Sequence, residues 1–240
     1  MGSLPCGFDH QLPRLNKDHD MPDSLPLLPT ALDGLLRRAS VPARLLREPA
    51  PDAAALDLAV SAALCAPDHG GLRPWRFVFI AGEARHDFGD LLAASLALRA
   101  PSTSPERLEL ERAKPLRAPL LVVSGAVLRH DRPGVPVWEQ EASAAAGTMN
   151  FLNALEAMGF GGVWLSSEAL RDAYMKTALG FDVADTLLGW LYVGTPGADR
   201  PLPKRPEPGP FSRMWNPRVE GGLLAGTASC PFLHAAGNTP

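Results

Sequence analysis

The ten residues from Ala66 to Trp75 combine several side chains and backbone features that suit the binding of a small molecule. Two prolines fix the backbone and remove amide donors, and two glycines allow the backbone to approach a ligand closely. His69 and Arg73 add hydrogen-bond donors on a loop, where binding residues are often found. This composition suits a flat anionic ligand, and it also fits an ordinary surface turn.

Arg38-Ala39-Ser40, at the end of the first predicted helix, is a second segment with binding chemistry. The guanidinium of Arg38 and the hydroxyl of Ser40 are donors that suit a phosphate monoester. The helix dipole alone also favours an arginine in the last helical turn. The segment by itself therefore leaves a phosphate site and a helix end as alternatives.

A glycine-rich segment follows the longest predicted helix. Gly159 has the position of a helix C-cap, whereas Gly161 and Gly162 in succession at a strand entry indicate a close approach to the backbone, such as that of a planar ring. Trp138-Glu139-Gln140-Glu141 opens the same helix and can aim a carboxylate or an amide towards a cleft. Acidic residues in a first helical turn are equally favoured by the helix dipole when they face solvent.

Several other kinds of chemistry lack support in the sequence. The 240 residues carry a formal net charge of -3 without a basic run, so no nucleic-acid partner is expected. The six histidines form no HxH or HExxH pattern, so no metal site is expected, and the three cysteines without CxxC spacing are expected to be reduced thiols. No nucleophile elbow, Walker loop or strand-associated GxGxxG is present. Without a long apolar run or a secretory signal, we expect no membrane partner and a cytoplasmic location.

The hydrophobic pattern predicts one α+β domain over residues 28–216, with irregular tails at 1–27 and 217–240. Strands are predicted at 76–80, 120–124, 161–165 and 187–193. Helices are predicted at 30–38, 52–66, 83–99, 105–114, 138–158 and 168–179. Leu32, Leu35 and Leu36 are expected to form the buried stripe of the first helix.

Five segments, taken in order and spacing, resemble the FMN-dependent nitroreductase family over roughly residues 30 to 215. The resemblance is greatest to its small single-domain NAD(P)H nitroreductases. The segments are Arg38-Ala39-Ser40-Val41-Pro42, Ala66-Pro67-Asp68-His69 with Arg73-Pro74-Trp75, Trp138-Glu139-Gln140, Gly159-Phe160-Gly161-Gly162-Val163-Trp164, and Leu191-Tyr192-Val193-Gly194-Thr195-Pro196.

The resemblance implies a nitroreductase-like fold, in which helices cover a central mixed, mostly antiparallel sheet, and an intertwined homodimer with two FMN molecules between the subunits. It implies NADH or NADPH as electron donor and a nitroaromatic, a quinone or a similar flat molecule as acceptor. Because the cofactor supplies the reactivity, no catalytic side chain is expected. The implied cofactor-binding residues are Arg38, Ala39 and Ser40 at the phosphate, Cys65, His69 and Arg73 from the partner subunit, and Gly161, Gly162, Trp164, Leu165 and Ser166 along the ring.

Three of these positions depart from the family pattern, because Ala39, Cys65 and Leu165 stand where relatives often have a basic residue. A charge-assisted hydrogen bond contributes on the order of 1.5 to 3 kcal/mol, so losing two would weaken FMN binding by several tenfold steps unless Arg44 or Arg73 compensates. Two alternatives to a nitroreductase therefore stay open. One is a flavin-poor binding or regulatory protein with the same fold, and the other is a flavoenzyme with a different redox substrate.

Overall fold

A computed structural model describes residues 30–197 and 204–215, so the tails predicted at 1–27 and 217–240 lie outside the described residues. The strands within this part are β1 (Leu46–Arg47), β2 (Trp75–Ala81), β3 (Leu120–Ala126), β4 (Gly161–Leu165) and β5 (Thr186–Pro196). The helices are α1 (Thr30–Arg37), α2 (Ala53–Ala63), α3 (Ala84–Arg99), α4 (Pro105–Arg112), α5 (Val137–Ala157) and α6 (Ala173–Ala178).

The strands form one sheet in the order β1-β5-β3-β2, and β4 pairs with β5 outside this path. Every strand pairing among the described residues is antiparallel. All seven residues of β3 are buried, since helices cover both faces of the sheet at this central strand. Its run of leucine and valine is typical of a strand without a solvent face.

The two faces of the sheet carry separate helical layers, because successive side chains of a strand point to opposite faces. Leu121 and Val123 of β3 belong to a core cluster with residues of α3 and α6. Leu120 and Val122 belong to a cluster with residues of α2 and α5, where Phe151 is fully buried. The helix α4 packs on α3.

The small residues of α5 let the segment at the start of β2 approach this helix closely. A Cβ atom at Gly147 would lie 2.5 Å from Cδ1 of Trp75, so only glycine fits beneath this indole. The Trp75 Nε1–H donates to the carbonyl of Ser143 at 2.9 Å. The small size of Gly147 and the carbonyl of Ser143 on α5 thus fix the start of β2.

The predicted strands all form, and β4 has the predicted bounds. The helix predicted at 168–179 divides into a 3-10 turn, Glu168–Arg171, and α6, because the carboxylate of Asp172 caps α6 by accepting the N–H of Tyr174 at 3.0 Å. The two-residue strand β1 was too short for a hydrophobic pattern to predict. Among residues 30–197 and 204–215, none of the helices combines the length and apolar composition that a membrane span requires.

The prediction of a buried leucine stripe on α1 is wrong for the single chain. Leu32, Leu35 and Leu36 are 41%, 51% and 46% exposed. The helix packs along α5 and leaves these side chains in solvent. The aromatic side chains of Phe211 and Trp215, near the end of the described chain, are also exposed.

Candidate functional site

The end of α1 lies beside the beginning of β4. The N–H of Val41 donates to the carbonyl of Gly162 at 3.0 Å, which brings Arg38 and Ser40 to this end of the strand. Arg38 is half-buried and Ser40 is exposed. Within the described residues, neither the Arg38 guanidinium nor the Ser40 hydroxyl has a recorded hydrogen bond or ion pair, so both groups are available to a ligand.

Arg205 brings a second guanidinium to the same place. Its Nη2 donates to the carbonyl of Arg38 at 2.5 Å, although the two residues are 167 positions apart in the chain. Lys204 and Arg205 are both exposed. Sequence reasoning missed this residue, and the only signal for it was a pair of basic residues in a proline-rich segment.

The glycines at the beginning of β4 are explained by packing within the chain. A Cβ atom at Gly161 would lie 2.5 Å from Cγ2 of the fully buried Val41, and one at Gly162 would lie 2.9 Å from Cδ2 of Leu152. Both glycines are buried. Their spacing therefore reflects the contact of β4 with its own neighbours, and a role beside a ring stays a prediction.

The other end of β4 carries the remaining predicted wall residues. The indole of Trp164 is half-buried and donates from Nε1 to the carbonyl of Leu188 at 3.0 Å. Leu165 and Ser166 are exposed. Because a strand rises about 3.3 Å per residue, the first and last residues of β4 lie about 13 Å apart. Cationic donors therefore lie at one end of an extended strand and a partly apolar surface at the other.

A cleft of 660 Å³ lies where β4 ends. Its volume falls in the range of about 300 to 1,000 Å³ that is typical of small-molecule sites. It is lined by Ser166, Ser167, Glu168, Leu170, Arg171, Lys176, Thr186 and Leu187. Most of these side chains are polar, whereas a flat aromatic ligand needs apolar cover over most of its surface.

The loop from Pro67 to Trp75 is held in shape by its own backbone and by α5. The carboxylate of Asp68 accepts the N–H groups of Leu72 at 3.1 Å and of Arg73 at 2.7 Å. The hydroxyl of Ser143 on α5 donates to the carbonyl of Pro67 at 2.6 Å. Arg73 is exposed and has a φ of 53°, which is uncommon outside glycine.

His69 lies on this loop and contacts the first turn of α5. Its Nδ1 is 2.6 Å from a carboxylate oxygen of Glu139, and its side chain is 62% exposed. Cys65, just before the loop, is an exposed free thiol whose Sγ lies 3.5 Å from the carbonyl of Ser61. No recorded hydrogen bond or ion pair among the described residues joins this loop to Arg38 or to Ser166.

The other two polar residues at the beginning of α5 have separate roles. Gln140 is buried and holds the loop before α5, since its amide bonds to the N–H and carbonyl of Arg129 and to the carbonyl of Val135. Glu141 accepts the hydroxyl of Thr186, a cleft residue, at 2.7 Å. On the loop that precedes α5, a hydrogen bond from Arg129 lowers the pKa of Asp131 below its ordinary value of 3.8.

Comparisons with known proteins identify the family. The model of the Nitroreductase family matches residues 35–195. The Escherichia coli (strain K12) protein named "Putative NAD(P)H nitroreductase YdjA" is 36% identical over 166 residues, which are 69% of this chain and 88% of that protein. The chain belongs to the nitroreductase family, as the sequence motifs predicted.

Solved structures confirm the fold. The nitroreductase-like family protein from Bacillus cereus superposes with a TM-score of 0.67 at 19% identity, covering 82% of this chain and 100% of the other. An oxidised iodotyrosine deiodinase bound to FMN and 3-iodo-L-tyrosine superposes with a TM-score of 0.55 at 20% identity, covering 74% of this chain and 96% of the other. The predicted α+β, nitroreductase-like fold is therefore correct.

Proposed function

We propose that this protein is an FMN-dependent oxidoreductase that takes hydride from NADH or NADPH and reduces a nitroaromatic, a quinone or a similar flat acceptor. The observation that carries the proposal is the pair of unengaged donors, Arg38 and Ser40, at one end of β4 in a chain of the nitroreductase family. The name of the E. coli relative supports NAD(P)H as the donor. FMN in a solved structure of the same fold agrees with the choice of cofactor.

The donor set at the beginning of β4 fits the phosphate of FMN. A phosphate monoester carries up to two negative charges, and guanidinium and hydroxyl groups form short charge-assisted hydrogen bonds with it. We assign Arg38, Ser40 and Arg205 to this group. Arg205 supplies the second cation that the resemblance places at position 39, where this chain has alanine, so the departure at Ala39 does not remove the phosphate site.

The ring of FMN would lie towards the other end of β4, beside Trp164, Leu165 and Ser166. When bound, FMN accepts hydride from the nicotinamide and delivers it to the acceptor, which requires stacking and orientation from the protein. The Trp164 indole is fixed by its bond to Leu188, so it offers a rigid edge to the ring. Leu165 adds apolar surface where relatives often place a cation.

A second copy of the chain would complete the site. The cleft at the end of β4 is mostly polar, so the apolar cover of a flavin ring must come from elsewhere. No hydrogen bond or ion pair among the described residues joins the loop with His69 and Arg73 to Arg38 or Ser166 of its own chain. Exposed leucines on α1 and exposed aromatic residues at 211 and 215 provide apolar surface for a subunit interface. We therefore propose a homodimer in which each loop serves the partner's flavin.

Three measurements on the purified protein test the proposal. The visible spectrum is recorded before and after FMN is added, the mass in solution is measured, and NADH and NADPH oxidation is followed with a nitroaromatic acceptor. A yellow dimer that binds FMN below micromolar concentration and turns over supports the proposal. A folded dimer that takes up no FMN supports a binding or regulatory protein, and a flavin that is reduced without nitroaromatic turnover supports a different redox substrate, such as an aryl halide.

A further inference from the structure

The contact between Glu139 and His69 is poorly explained by stability. An exposed ion pair contributes about 0 to 1 kcal/mol, and the two side chains are 28% and 62% exposed. The loop keeps its shape through other bonds, namely those of Asp68 to two backbone N–H groups and that of Ser143 to Pro67. The contact therefore fixes the orientation of the imidazole ring more than it fixes the loop.

The geometry also fixes the tautomer of the neutral ring. An ionised carboxylate can only accept hydrogen bonds, so the Nδ1 of His69, 2.6 Å from Glu139, must carry the hydrogen. The Nε2 atom of the neutral ring is then a hydrogen-bond acceptor. No partner of Nε2 is recorded among residues 30–197 and 204–215. The chain thus presents an oriented acceptor on an exposed loop.

We propose that Glu139 is a positioning residue that sets His69 as a hydrogen-bond acceptor for the ring N–H of the flavin bound with the partner subunit. This inference rests on the proposed function. The oxidised isoalloxazine has a single N–H donor, at the centre of its pyrimidine edge, and the remaining polar atoms of that edge are acceptors. A histidine in the opposite tautomer would direct a donor at this N–H. The carboxylate of Glu139 prevents that mismatch.

The first arm of the test measures the tautomer without flavin. The side-chain ¹⁵N resonances of the six histidines are recorded at a pH where His69 is neutral, and the His69 signal is assigned by its loss in H69Q. We expect the Nδ1–H tautomer in the wild type and a change towards the Nε2–H tautomer in E139A. The E139Q variant retains an amide oxygen that accepts from Nδ1, so it should restore the wild-type tautomer.

The second arm measures FMN affinity in a double-mutant cycle of E139A and H69Q. Loss of one oriented hydrogen bond should raise the Kd of FMN about three- to tenfold in E139A, and E139Q should stay within about twofold of the wild type. In the H69Q background, E139A should cause no further loss, because the glutamine has no Nδ1 to position. D90A removes another exposed carboxylate, paired with Arg112 on the opposite face of the sheet, and serves as the control.

The outcomes separate the inference from the proposed function. Any one of three results would overturn the positioning role while FMN binding stands. E139A could leave the His69 tautomer unchanged, or it could leave the Kd of FMN unchanged. The third result is the same loss of affinity when E139A is added to the wild type and to H69Q. A wild-type protein that binds no FMN would overturn the proposed function and the inference together. Circular dichroism melting of E139A confirms that the variant is folded before either arm is interpreted.

Discussion

Replacing Arg38 by alanine gives the sharpest test of the phosphate site. The guanidinium is half-buried at the end of α1 and has no recorded partner within the described residues. A charge-assisted hydrogen bond is worth about 1.5 to 3 kcal/mol, so the Kd of FMN should rise about 10- to 150-fold. Because the side chain makes no hydrogen bond or ion pair within residues 30–197 and 204–215, the free energy of unfolding should change by about 0.5 kcal/mol or less.

The neighbouring Arg37 provides a matched control. It is an arginine on the same helix, but its Nε is engaged by Asp33 at 2.6 Å on the solvent side. R37A should therefore lose about 0 to 1 kcal/mol of stability and leave the Kd of FMN unchanged. A third variant, R205A, should weaken FMN binding in the same direction as R38A.

The assay is a titration of flavin-free protein with FMN, followed by the quenching of flavin fluorescence, together with a thermal melt of each variant. The difference between R38A and the wild type should shrink at high salt, since salt screens the attraction between a partly exposed guanidinium and a phosphate. Equal weakening by R37A and R38A would refute the assignment. So would an R38A variant that keeps its FMN affinity, or one that loses stability and affinity in the same proportion.

Three further predictions concern the fold that holds the site. G161A should lower the free energy of unfolding, measured in urea, by about 1 to 3 kcal/mol, because its Cβ would lie 2.5 Å from a methyl of buried Val41. The control G134A, with open space at its Cβ, should lower it by less than about 0.5 kcal/mol. Equal losses in the two variants would contradict the packing argument. T148V should lower the free energy of unfolding by about 1 to 3 kcal/mol, because it leaves the buried hydroxyl of Ser124 without its partner. Adding S124A should recover part of this loss of stability, and a double variant less stable than T148V would contradict the explanation. Burial raises the pKa of Tyr192 above its ordinary value of 10.0, so the folded state holds this proton longer than the unfolded state and stability should fall as pH rises beyond about 10. Y192F should flatten that fall and the exposed-site variant Y174F should not, which denaturation at several alkaline pH values will decide.

The regular elements were predictable because their signals are local. The alternation and the runs of leucine and valine in β2, β3 and β5 reflect burial that each strand experiences along its own length. Pro51 and Asp52 mark the beginning of α2 through contacts within one helical turn. The Asp52 carboxylate caps this helix by accepting the N–H of Ala55 at 2.8 Å. The order of the motifs was sufficient to predict the family.

The parts of the site that escaped prediction depend on contacts between distant residues. Arg205 meets Arg38 across 167 positions, and Glu139 meets His69 across 70, so no window along the chain contains either pair. The packing of Gly161 against Val41 also joins residues far apart in the chain, and the predicted role of Gly161 and Gly162 beside a ring stays a prediction. The leucines of α1 show the amphipathic pattern of a buried stripe, but the pattern does not say whether the same chain or another one covers it.

Because Arg205 contacts Arg38, the residue at which a shortened version of the protein ends is important. A chain that ends after β5 would retain the five strands and the helices α1 to α6 of the described residues. It would nevertheless lack the Arg205 guanidinium, which lies beside Arg38 at the proposed phosphate site. Expression designs for this protein should keep the chain at least through residue 215 and place any purification tag well beyond that point.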